Sequence, residues 1–245
     1  MARVCSGIDA AAFARKQRAA DAGVIEVVVA ALQAHPQDAG VQQFGCLAMN
    51  NLCIGTDAAG LARIQRAADA GGIELAVAAL QAHPQVAGVQ QFGCLAMANV
   101  CFGSDAVGLA RIQRAADAGA IEAIVAALQA HPQVAVVQQY GCCALGNVCA
   151  GDDAAGLAHK QRAADAGGIE LAVAAMQAHP QDVGVQQDGC RALFNMCFGS
   201  DAAARARRQG AVTAGATEAV AGAMQAHPGD AAVRSRGQHL RDLLA

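Results

Sequence analysis

Gln65-Arg66-Ala67-Ala68-Asp69-Ala70-Gly71 decides the fold of this chain, because the chain repeats it. The same seven residues recur from Gln17, Gln113 and Gln161, and a worn copy, Gln209-Gly210-Ala211-Val212-Thr213-Ala214-Gly215, follows at the same spacing of 48 residues. His-Pro keeps that register at His35, His83, His131, His179 and His227, and these five copies use every proline in the chain. Asp9, Asp57, Asp105, Asp153 and Asp201 share the period. Five units result, 8–55, 56–103, 104–151, 152–199 and 200–245, within one repeat domain spanning 1–245. Self-similarity at such a period predicts units that bury their apolar faces by stacking on one another. Met1 to Cys5 align one period back from Met49 to Cys53, so residues 1–7 read as the remnant of a preceding unit's last helix. Either a longer array was cut there or the stub is a vestigial cap.

Each unit predicts three helices, and the second unit is the clearest. Thr56-Asp57 offers an N-cap, after which Leu61, Ile64 and Ala68 recur at helical spacing up to Gly71. Ile73, Val77 and Leu80 mark one face of a second helix, which Pro84 ends by disfavouring helix in the residue before it. A third helix runs from about Val86 to Phe102 and closes at Gly103. Glycines 23, 71, 119, 167 and 215 occupy a helix-stopping position, where left-handed backbone is tolerated without a Cβ. No segment alternates with period two, so the fold class is all-α, with no sheet.

Composition narrows the function. The chain has 55% hydrophobic residues but 3% aromatic ones, and alanine suits thin, closely packed helices. Net charge is −3 with both signs dispersed, which predicts no nucleic-acid partner and no anionic membrane surface. Arg3, Asp9, Arg15, Lys16 and Arg18 exclude a signal peptide, and no apolar run reaches membrane-spanning length. Eight of ten cysteines form pairs seven residues apart: Cys46/Cys53, Cys94/Cys101, Cys142/Cys149 and Cys190/Cys197. On a helix each pair lies roughly 10 Å apart, too far for a disulfide. They read as core fillers in a reducing compartment, the cytoplasm with the nucleus as the other option.

The third helix carries two faces. Val89, Gly93, Cys94, Met97, Val100 and Cys101 form an apolar core sector. Gly93 and its counterparts Gly45, Gly141 and Gly189 sit mid-helix at a cost of about 1 kcal/mol against alanine, a cost that close approach by a neighbouring helix would offset. Phe92, Leu95, Asn99 and Phe102 form a second stripe. It reads Phe44, Leu47, Asn51, Ile54 in the first unit, Tyr140, Cys143, Asn147, Ala150 in the third, and Asp188, Arg191, Asn195, Phe198 in the fourth. A solvated face is mainly polar, and a purely structural face in near-identical repeats stays near-identical; this stripe does neither. Its constant asparagine among varying neighbours suits a ligand groove with a fixed hydrogen-bonding ladder and unit-specific pockets. Packing between successive third helices, with asparagine closing a local bond, is the other reading.

These residues resemble the armadillo repeat. The family's glycine turn, apolar second helix and third helix of the form V-Q-x-x-A-x-x-A-L-x-N-L are similar to residues 70–80 and 89–100 here, and the resemblance covers the chain apart from its worn ends. It implies a right-handed superhelical solenoid whose third helices line a concave groove. There an asparagine ladder, mapping to Asn51, Asn99, Asn147 and Asn195, would grip the backbone of an extended peptide. The 48-residue period is longer than the family's usual one. Nuclear-import adaptors of the family place tryptophan where this chain has Leu47, Leu95, Cys143 and Arg191, so a basic cargo is not expected.

The expected function is therefore a non-catalytic scaffold for a protein or extended peptide, with no cofactor and no metal. The histidines of the His-Pro turns read as exposed turn residues, spaced as a ladder and not a chelate. Arg63, Arg66, Asp57, Asp69 and Glu74 read as caps and solvated faces. The rival expectation is an assembly element that forms a homo-oligomer end to end through an uncapped N-terminal edge. In the last unit Gln238 and Arg241 replace Cys190 and Leu193 of the unit before, so that end reads as a cap facing water.

Overall fold

A computed structural model of the chain describes residue 7 and residues 9–245, and among these every regular element is an α-helix. The proposed remnant at 1–7 lies outside the described residues except for Gly7. The first unit holds α1 (Ala10–Asp21), α2 (Val24–Ala34) and α3 (Ala39–Cys53). The second holds α4 (Ala58–Asp69), α5 (Gly72–Ala82) and α6 (Ala87–Val100), and the third α7 (Ala106–Asp117), α8 (Ala120–Ala130) and α9 (Ala135–Val148). The fourth has α10 (Ala154–Asp165), α11 (Gly168–Ala178) and α12 (Val183–Cys197), and the last α13 (Ala202–Thr213), α14 (Ala216–Ala226) and α15 (Ala231–Leu244). The chain divides into two compact bodies, Met1–Ala120 and Ile121–Ala245, so the division falls at the start of α8, inside a repeat. No described helix is long and apolar enough to cross a membrane.

Local chemistry sets these boundaries. Asp57 accepts from Gly60 N at 2.8 Å, and Asp9, Asp105, Asp153 and Asp201 cap their own helices in the same way, satisfying amides that no helical carbonyl can reach. Gly71 turns the chain from α4 into α5 at φ +93°, a left-handed conformation that its lack of a Cβ allows. Gln90 is buried, and its Nε2 donates to Leu80 O and His83 O, both at 2.9 Å, closing carbonyls at the end of α5. Gln42, Gln138 and Gln186 do the same in their repeats.

In the first body, like helices pack on like helices: α1 on α4, α2 on α5 and α3 on α6. The second body repeats this, with α12 between α9 and α15, α10 on α13 and α11 on α14. The predicted core sector Val89, Gly93, Cys94, Met97, Val100 and Cys101 is buried. A Cβ built on Gly93 would stand 2.6 Å from Leu80 Cδ2, so the glycine is where the second helix's leucine seats. Leu32 fills the same notch at Gly45 and Leu128 at Gly141, whereas Met176 and Met224 fill it at Gly189 and Gly237. The eight paired cysteines are buried, and burial pushes Cys46, Cys53, Cys101 and Cys190 up to about 12.

Two sequence readings need correcting. Arg63 is no surface residue: it is 3% exposed, and its Nε and Nη2 donate to Leu52 O at 2.8 Å and Ile54 O at 3.1 Å. Its Nη1 donates to Gln17 Oε1 at 2.8 Å, so one guanidinium caps the end of α3 and ties α4 to α1. Arg111 makes the equivalent three bonds in the first body. His83 and His131 are likewise buried, not exposed turn residues. His83 Nε2 lies 2.8 Å from Pro36 O, so that nitrogen carries the proton and donates to the preceding turn.

Candidate binding surface on the third helices

In the first body, α3 and α6 lie side by side and carry the variable stripe. Phe44 is 60% exposed, Phe102 is exposed, and Phe92, Leu47, Leu95, Asn51 and Asn99 are half-buried. The surface is apolar and holds no charged group among the stripe positions. Asn99 donates its Nδ2 to Asn50 Oδ1, and Asn50 Nδ2 stands 3.4 Å from Asn51 Oδ1. Asn50 belongs to the first unit alone, since Ala98, Gly146 and Phe194 hold its place elsewhere. It was missed in the sequence because only the register between helices shows that residue 50 faces residue 99.

The second body builds the same stripe from charge. Arg191 Nη1 donates to Asn147 Oδ1 at 2.8 Å, and its Nη2 reaches Cys143 O at 3.1 Å and Cys143 Sγ at 2.9 Å. Asp188 receives Arg236 Nη1 at 3.2 Å and faces Arg191 Nη2 at 3.4 Å. Burial raises the Asp188 carboxyl above its usual range, with the two arginines opposing the shift. Burial also raises the Cys143 thiol and the Tyr140 phenol, so neither is activated as a nucleophile. Asn195 Nδ2 donates to Gly146 O at 2.7 Å. Phe194, beside it, stacks on Phe198 with centroids 5.4 Å apart.

The asparagines of the two bodies thus share one habit. Asn99 and Asn195 each send the amide nitrogen 49 positions back, onto the preceding third helix. The bond to the preceding helix therefore uses the amide nitrogen alone and leaves the Oδ1 of Asn99 and of Asn195 without an internal donor among the described residues. Within each body the structure brings the predicted stripe residues onto adjacent third helices. Arg191 and Asp188 differ from Phe44 and Phe92 in being engaged with neighbouring side chains.

No group of three or more His, Cys, Asp or Glu side chains among the described residues is placed to hold a metal ion. Polar residues read in the sequence as caps and solvated faces also join repeats. Arg66 pairs with Glu26 at 2.6 Å, Arg114 with Glu74 at 2.5 Å, and Arg162 with Glu122, each bridging 40 residues. The Arg66 hydrogen bond holds the Glu26 carboxyl below its usual range. Their signal was joint recurrence: Glu26, Glu74 and Glu122 keep one register with Arg66, Arg114 and Arg162. No protein-family model, no curated protein and no solved structure matches this chain.

Proposed function

We infer that this chain is an armadillo-type, right-handed helical solenoid that binds a protein or extended peptide along its third helices, without catalysis. The observation that carries this reading is Phe44, a large aromatic side chain left 60% exposed on a stripe that varies from repeat to repeat. An exposed aromatic on a rigid helical platform is the usual chemistry of an interaction surface. The open Oδ1 of Asn99, on the adjacent third helix, supplies an acceptor for a ligand backbone N–H. An apolar extended segment is the ligand this first body favours. Eight buried cysteines in no disulfide support a reducing compartment, the cytoplasm or nucleus.

The test is an unbiased peptide-display selection followed by photo-crosslinking. Selected peptides should attach to a crosslinking residue placed at 44 and fail to attach to one placed at exposed Gln33 on α2. Equal labelling at both positions contradicts a third-helix binding surface.

A further inference from the structure

Successive repeats within each body are joined by rungs of fixed register, except that Gly210 leaves Glu170 without the arginine 40 positions on, and the first and last repeats each carry rung chemistry with no rung. The ion-pair rung links a glutamate of a second helix to the arginine 40 positions on: Glu26 to Arg66, Glu74 to Arg114 and Glu122 to Arg162. The histidine rung links a ring nitrogen to the proline carbonyl 47 positions back: His83 to Pro36, His179 to Pro132 and His227 to Pro180, at 2.8 to 2.9 Å. One period before Arg66 and His83 stand Arg18 and His35, both exposed. In the last repeat Glu218 and Pro228, which hold the acceptor positions, are exposed as well. None of the Arg18, His35 and Glu218 side chains has a partner among the described residues.

An apolar group stands on the same face. Leu75 packs against a core cluster that joins residues of the first repeat to Ile64 and Ala67 of its own, so its position lies at the seam between repeats. Val27 holds that position in the first repeat and is 61% exposed. Donors and an apolar side chain thus mark the α1–α2 face, and matching acceptors mark the α13–α14 face.

We propose that this chain self-associates head to tail: the α1–α2 face of one copy docks on the α13–α14 face of another, pairing Arg18 with Glu218 and His35 with the Pro228 carbonyl. The contact repeats the one that already joins neighbouring repeats, so it needs no rearrangement. Its third-helix side is polar, with Arg241 exposed on α15 and Gln238 bonded to Asp242 at 2.6 Å. The association is accordingly weak, reversible and sensitive to salt. It stands apart from peptide binding, since it uses first and second helices and leaves Phe44 and Asn99 untouched.

The experiment is sedimentation of the full chain over a concentration series to about 1 mM, at low and high salt. Four samples are compared: the parent, Arg18→Glu, Glu218→Arg, and an equimolar mixture of these two variants. All carry changes on exposed helix surface, and circular dichroism checks their folding. The parent should associate with concentration, each single variant should need about tenfold more protein, and the mixture should return to within about threefold of the parent. Val27→Asp should weaken association as well. A parent that stays monomeric throughout overturns the proposal. Association equal in parent and single variants, or a mixture that fails to recover, overturns it too.

Discussion

The third helices of the two bodies share a backbone plan and differ in what their outer stripe is already bonded to. In the first body Phe44 and Phe92 sit on α3 and α6 among apolar neighbours, with Phe44 largely bare. In the second, Tyr140 and Asp188 occupy the matching positions, and Asp188 and its neighbour Arg191 are held by Arg236, Asn147 and Cys143. A repeat can thus keep its core and leave one surface position open in one copy while using it for cohesion in another. The core beneath differs along the chain: leucine fills the glycine notch at Gly45, Gly93 and Gly141, and methionine fills it at Gly189 and Gly237.

The notch provides the largest expected contrast. Gly93→Val drives a side chain into Leu80, which is branched and packed, and should destabilise by about 3 kcal/mol. Gly189→Val meets Met176, whose unbranched chain can refold around the intruder, and should lose about half as much. Denaturant unfolding of both variants measures the difference, and equal losses would mean that the notch filler is irrelevant.

Next comes the stripe itself. Arg191→Ala strips partners from Asn147 Oδ1 and the Cys143 carbonyl, so it should lower stability by about 1–2 kcal/mol. Phe44→Ala removes an exposed ring and should change stability by less than about 0.5 kcal/mol. Thermal melts distinguish the two. A large loss at Phe44 would make the first stripe structural as well.

The smallest effect is on acid stability, and it differs in sign. Glu26 has a folded pKa held below its unfolded value by Arg66, so its contribution is present above the ordinary carboxylate range and fades as pH falls through the folded value. Asp188 has a folded pKa raised by burial, so its contribution is present below the unfolded value and fades as pH rises through the folded one. Between about pH 3 and 6, Glu26→Gln should therefore cost more toward neutral pH, and Asp188→Asn more toward acid. Parallel profiles for the two variants would contradict the assignment.

Much of this architecture was legible in residues, because its causes are local. Asp57 caps, Gly71 turns and Pro84 stops within a few residues of where each sits, and the cysteine spacing marks one buried helical face. Gly93 was legible as a close approach, though not which side chain approaches. The asparagines were read only halfway. Their constancy signalled a fixed bond, but whether to a neighbour or a ligand depends on a register of 49 residues that no local pattern carries. Arg63 was misread because a charged residue on an amphipathic helix ordinarily faces water. Its burial depends on the free carbonyls of α3, which come into reach only after the units stack.

The central claim is that the first body's open stripe is a binding surface, and the double variant Phe44→Ala/Phe92→Ala tests it most directly. Display-selected peptides are titrated against this variant and the parent by calorimetry, with folding checked by thermal melt. Two aromatic anchors at an interface are together worth about 2 kcal/mol or more, so affinity should fall at least about thirtyfold while the variant remains folded. Peptides that bind the folded double variant as tightly as the parent would contradict the account.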